Sequence, residues 1–119
     1  MVEGRVMQRE FSSGAVRDTD VGKLDYEGFL SPLVFERFAQ YMHEHRKLAD
    51  GSIRASDNWQ RGIPLDSYMK SGFRHFMEWW KLHRSADDNG LRVEDALCGV
   101  MFNVQGYLHE ILKSRSGEE

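Results

Sequence analysis

Arg74-His75-Phe76-Met77-Glu78-Trp79-Trp80 is the stretch that decides how this chain folds. Around it, Met69, Phe73, Phe76, Met77 and Trp80 recur three or four residues apart, as one side of a helix requires. The other side carries Tyr68, Gly72, His75, Glu78, Trp79 and Leu82. Pro64 suits the first turn, where its missing N–H would have no partner in any case. The spacing predicts a helix over residues 65–83, with Met69 to Trp80 as its core stripe.

Downstream, Asp87-Asp88-Asn89-Gly90 reads as a turn, and a further helix is predicted over 93–113. Leu97, Val100, Met101, Val104, Leu108 and Ile111 share one face of it. Asp95, Gly99, Phe102, Gly106 and Glu110 lie near the other face, with Asn103 at its edge. A glycine inside a helix costs about 1 kcal/mol against alanine. Gly99 and Gly106 on one face therefore imply the close approach of a neighbour or ligand. Upstream, Ser31-Pro32 is a helix start, and Val34, Phe38, Tyr41, Met42 and His45 recur at helical spacing up to about Leu48. Asp50-Gly51-Ser52 stops that helix. Residues 50–63 form a polar loop, but Trp59 implies that the loop packs on the body. Val21 to Tyr26 reads as a structured loop or short extended piece.

Strand signals are weak throughout. The expected class is all-α: a small bundle of three main helices with ordered loops. Three such helices make a thin core, and stripes rich in Trp, Phe and Met point to a homo-oligomer. Residues 1–13 are expected to form a flexible N-terminus, 14–113 a single domain and 114–119 a flexible tail.

At 119 residues there is room for one domain. Hydrophobic content of 40% and charged content of 29% are ordinary for a globular protein. A net charge of −3 argues against a nucleic-acid polymer as partner, although local basic groups can still grip phosphate. Cys98 is the only cysteine, which excludes an intramolecular disulfide and fits a reducing cytoplasm. No apolar run approaches the ~18–20 residues of a membrane span, and Met1 to Arg5 opens no signal-peptide core. The expectation is a soluble cytoplasmic protein with no membrane partner, residing in the host cell if encoded by a phage.

His75 and Glu78, three apart, share a helix face. Asp95 opens the following helix, and antiparallel packing would bring the three together. Oxygen ligands with one imidazole suit Mg²⁺ or Mn²⁺, which could neutralise a triphosphate and activate water. The competing structural reading pairs Glu78 with Arg74, sets Asp95 on a helix N-terminus through the dipole, and makes His75 a core residue. Lys23, Arg54, Arg61 and Arg74 either clamp phosphates together or are unrelated surface cations. Trp59 and Trp79 either stack on a base or fill the core. His43 and His45 point about 200° apart on a helix (two residues at ~100° each), which favours solvated surface over chelation. Cys98 has no neighbouring signal for a nucleophile. The chain holds no P-loop, G-x-S-x-G or C-x-x-C.

Four segments, Gly22-Lys23-Leu24-Asp25, Asp57-Asn58-Trp59-Gln60-Arg61-Gly62, Arg74 to Trp80, and the last helix with Asn103, resemble the phage dATP/dGTP diphosphohydrolases of the MazZ-like family. The resemblance covers about residues 14–113. It implies an all-α fold distantly similar to MazG-type pyrophosphohydrolases. Such enzymes use Mg²⁺ to split a purine deoxynucleoside triphosphate into monophosphate and pyrophosphate. By this resemblance Glu78, Asp95 and His75 would be catalytic and metal-binding. Lys23, Arg54, Asn58, Trp59, Arg61, Arg74, Trp79 and Asn103 would bind substrate. The chain departs from the MazG pattern of E-x-x-E followed by E-x-x-D: the first pair is His75 and Glu78, and Cys98 stands where the last acid belongs. A non-catalytic protein that sequesters a nucleotide, including an antiviral signalling nucleotide, is therefore the alternative to an enzyme. A protein-interaction module is the third reading.

Overall fold

The computed structural model describes residues 8–85 and 90–117. The chain divides into two compact units, one ending at Pro32 and one starting at Leu33. The first unit holds a two-stranded antiparallel ribbon, β1 (Gln8–Glu10) and β2 (Val16–Asp18), with Arg9 opposite Arg17. Gly14 makes the reversal possible: its φ of 90° is open to glycine and strained for most other residues. Phe11 N–H closes the turn on the Ala15 carbonyl at 2.8 Å. Residues 8–13, expected to be flexible, thus form part of a hairpin; the rest of that expectation lies outside the described residues. A single helical turn, α1 (Tyr26–Phe29), follows, with the Asp25 carboxylate accepting from Gly28 N–H at 2.9 Å.

The second unit is helical. Its elements are α2 (Pro32–Glu44), a 3-10 turn at Asn58–Arg61, α3 (Leu65–Arg84) and α4 (Gly90–Arg115). The protein is thus mostly helical, with the three long helices that the spacing predicts. α2 ends four residues earlier than expected. The chain reverses there, with an isolated bridge between Lys47 and Ile53 and with Leu48 N–H on the Ser52 carbonyl at 2.8 Å. Asp50 stabilises the reversal by accepting from Ser52 N–H at 2.9 Å and Ser52 Oγ at 2.6 Å, while Gly51 takes a φ of 89°. Of the expected turn at 87–90, residues 87–89 lie outside the described residues, and Gly90 is already helical.

α3 and α4 pack antiparallel, because Tyr68 meets Gly106, Gly72 meets Asn103, and His75 meets Gly99. The glycines forecast as points of close approach serve that purpose. A methyl group at 99 would overlap the His75 ring, and one at 106 the Tyr68 ring. Tyr68 and Leu82 of α3 and Ala96, Cys98, Gly99, Asn103 and Gly106 of α4 are buried. The stripe expected as core (Met69, Phe73, Phe76, Met77 and Trp80) is instead exposed, as are Val104, Leu108 and Ile111. The reason is geometric. The helices meet through glycines and polar-aromatic side chains, so their larger apolar faces turn outward.

Candidate anion-binding cavity

A cavity of about 680 Å³ opens in the helical unit, between α2, the segment from Arg46 to Trp59, and the α3–α4 pair. Its volume lies within the ~300–1,000 Å³ usual for small-molecule sites. Helical spacing brings Phe38, Tyr41, Met42 and His45 of α2 and its end to one wall. Ser71 and His75 on α3 and Phe102 and Asn103 on α4 supply the facing wall.

The charge on the lining has one sign. Arg46 and Arg54 line the cavity with three histidines, and no Asp or Glu does. The two arginines are fixed side by side by the reversal at 47–53. Arg54 N–H donates to the Arg46 carbonyl at 2.8 Å, and Arg46 Nε donates back to the Arg54 carbonyl at 2.7 Å. One of the five Arg46 guanidinium donors is thereby used, and the others are left for a ligand. Neither guanidinium forms an ion pair among the described residues. Arg9, Arg37 and Arg92, in contrast, all have carboxylate partners.

Polar groups of defined role surround this pair. His45 Nδ1 donates to the Tyr41 carbonyl at 2.8 Å, and its ring lies 4.1 Å from that of Tyr41. The donation fixes the tautomer and leaves Nε2 for the cavity. His75 is held below the ordinary histidine pKa, first by burial and then by the charges of Arg74 and His45. Asn103 donates Nδ2 to the Gly99 carbonyl at 2.8 Å, which leaves its Oδ1 to accept from a ligand. Trp59 is braced edge-on by Phe102 at 6.2 Å and His109 at 4.8 Å.

Five site residues predicted from sequence therefore converge here: Arg54, Asn58, Trp59 and Asn103, expected to bind substrate, and His75, expected to be catalytic and metal-binding. In comparison with family models, curated proteins and solved structures, the chain matches none. Among the other predicted residues, Arg61, Arg74, Trp79, Glu78 and Asp95 do not line the cavity. Trp79 packs edge-on against Phe76 at 5.7 Å. Lys23 belongs to the first unit. His45 and Arg46 were not predicted as site residues. A signal for His45 was present, since it shares the helical spacing of Phe38 and Tyr41. Arg46 gave none, because its placement depends on the reversal that ends α2.

The carboxylates expected to hold a metal have other partners. Glu78 accepts from Arg92 Nη2 at 2.6 Å and Asp95 from Arg37 Nη2 at 2.8 Å, while the neighbouring Glu94, not among the predicted ligands, accepts from Arg37 Nε at 2.6 Å. The Arg37 fork raises its own pKa through those two hydrogen bonds. The structural alternative for Glu78 named Arg74, whereas the actual partner is Arg92 across the helix pair. No group of three His, Cys, Asp or Glu is placed to hold a metal ion among the described residues. With no carboxylate on the cavity wall and each of these acids ion-paired, the described residues do not fit Mg²⁺ or Mn²⁺. No helix among the described residues is long and apolar enough to cross a membrane.

Proposed function

We propose that this chain binds a purine nucleotide in the cavity beside Arg46 and Arg54. The observation that carries the proposal is a pair of guanidiniums with no ion-pair partner among the described residues, in a cavity lined by three histidines and no acid. Two guanidiniums set close together with no carboxylate on the same wall leave positive charge without a local partner, and an anionic ligand supplies one. Phosphate fits the guanidinium fork with two parallel hydrogen bonds. Trp59 supplies a ring for the base, and Asn58 and the Asn103 Oδ1 supply hydrogen-bond partners for its edge. A sulfate-sized anion alone would leave most of 680 Å³ and its apolar walls unused.

The resemblance to dATP/dGTP diphosphohydrolases supports a purine deoxynucleotide. Its Asn58-Trp59, His75 and Asn103 come from three separate segments and meet at this one cavity. Binding without cleavage is the primary reading, since the carboxylates needed for metal-assisted hydrolysis are committed to arginines. Hydrolysis to monophosphate and pyrophosphate is the second reading, favoured by that same convergence. In either reading the chain acts as a homo-oligomer.

Titration of the protein with dATP, dGTP and their monophosphates, in EDTA and again in Mg²⁺, separates these readings. Saturable binding in EDTA with nucleotide recovered intact supports the primary one. Turnover in Mg²⁺ that is lost in Glu78→Ala and Asp95→Ala replaces it with the second. No binding under either condition removes both.

A further inference from the structure

The outer face of the α3–α4 hairpin is a feature the nucleotide reading leaves unused. Phe73 and Val104 are each 61% exposed and Leu108 51%, while Tyr68, on the inner seam of the same helices, is 2% exposed. Between them runs a groove of about 580 Å³ whose lining includes Met69, Phe73, Phe76, Val104, Leu108 and Ile111 and no charged residue. The periodic apolar residues of both helices thus point out of the single chain. A soluble monomer rarely shows a contiguous apolar patch beyond a few hundred Å².

We propose that a second copy of this chain covers that face, joining two α3–α4 hairpins into a four-helix bundle. Three observations favour this occupant. The first is area. Phe73, Phe76, Trp80, Met69, Val104 and Leu108 with their neighbours Met77, Leu65 and Ile111 are all 39–61% exposed. At ~150–200 Å² per large side chain they present on the order of 800 Å², which is what each partner contributes to a standard interface of ~1,600 Å². The second is spacing: Met69, Phe73, Phe76 and Trp80 on α3 and Val104, Leu108 and Ile111 on α4 recur three or four residues apart, as residues that pack against further helices do, yet all are exposed in the single chain. The third is chemistry. The face has no charge to select a different protein, its shape is a two-helix groove, and a two-fold axis sets the same apolar stripe on both sides.

The interface bears on the cavity. Asn103 lines both the cavity and the groove, and a methyl group added to Gly72 across the seam would lie 3.4 Å from its Cβ. Covering the groove therefore backs the wall from which Asn103 faces a ligand. The dimer itself does not depend on the nucleotide reading.

Sedimentation equilibrium of the full chain, from low micromolar to ~100 µM, tests this without any ligand. A dimer mass is expected across most of that range, falling toward the monomer in Val104→Glu and Leu108→Glu. Leu33→Glu, at a residue 80% exposed and outside the face, is expected to leave the dimer intact. Glutamate is tolerated at a truly solvated position, so unfolding of Val104→Glu beside a folded Leu33→Glu also means that the face is buried in solution. A monomeric wild-type chain at the highest concentration overturns the proposal. A dimer that persists in both Val104→Glu and Leu108→Glu moves the interface elsewhere and overturns it equally.

Discussion

Replacing Gly106 by alanine sets two effects against each other. In a helix interior alanine is favoured over glycine by about 1 kcal/mol. At position 106 the added methyl would overlap Cε1 and Cζ of Tyr68. Tyr68 is 2% exposed, and its ring also contacts Phe102 edge-on at 5.8 Å, so it cannot swing away without disturbing a second aromatic. Overpacking of this kind costs about 1–3 kcal/mol. The difference is a net loss on the order of 1 kcal/mol, or about 4–8 °C in Tm for a cooperative unit of this size. Gly72→Ala is the matched control: its methyl would stand 3.4 Å from Asn103 Cβ, ordinary contact, so the helix-propensity gain survives and Tm holds or rises. Thermal unfolding followed by circular dichroism at one protein concentration compares the three proteins. If Gly106→Ala melts at or above wild type, the close Tyr68–Gly106 seam between α3 and α4 is refuted.

His75 gives stability a pH dependence of known sign. Its folded pKa lies below the ordinary value of 6.5, so protonation favours the unfolded chain. The contribution is complete above about pH 6.5 and is lost as pH falls through the lowered value. Denaturant melts between pH 7.5 and 5 are expected to show a shallower loss in His75→Asn than in wild type, and equal slopes contradict a half-buried neutral imidazole. Removing one guanidinium by Arg54→Ala is expected to weaken nucleotide binding by about 1.5–3 kcal/mol, the range for a charged hydrogen bond, and to flatten its salt dependence in calorimetric titrations. Unchanged affinity would take Arg54 out of the site. Trp59→Leu is expected to cost about 1–3 kcal/mol per stacked base while leaving inorganic pyrophosphate binding unaltered, so a parallel loss for pyrophosphate would mean that Trp59 holds up the wall and does not stack.

Much of the helical unit was legible in the chain. Pro64 and the Met69–Trp80 spacing placed α3 within a residue of its observed ends, and the paired glycines of α4 announced a close neighbour. The orientation of the hairpin was not legible. Period alone marks an apolar stripe as buried, but it does not distinguish a stripe covered within the chain from one left for a second copy. Nor did it show that a seam of Gly72, Gly99 and Gly106 would bring the helices together on the polar side. The short ribbon at residues 8–18 was missed because three-residue strands carry too little alternation to register. At the candidate site, His75 and Asn103 sit on helices whose faces the spacing sets, and Asn58 and Trp59 were singled out in their loop through the resemblance; all four line the cavity. Arg46 was not found, because only the Lys47–Ile53 reversal turns it toward Arg54. The carboxylates Asp95 and Glu78 were placed on the right helices, but their arginine partners, Arg37 and Arg92, lie at 58 and 14 residues' separation from them, and sequence spacing does not report such pairs.

The most direct measurement is an isothermal titration of the full chain with dGTP in EDTA, paired with the same titration of the double variant Arg46→Ala/Arg54→Ala. Saturable binding by wild type, without divalent cation and abolished in the variant, is the expected result. Wild-type protein that takes up no purine nucleotide, or a variant that binds as wild type does, contradicts a nucleotide site built on these two guanidiniums.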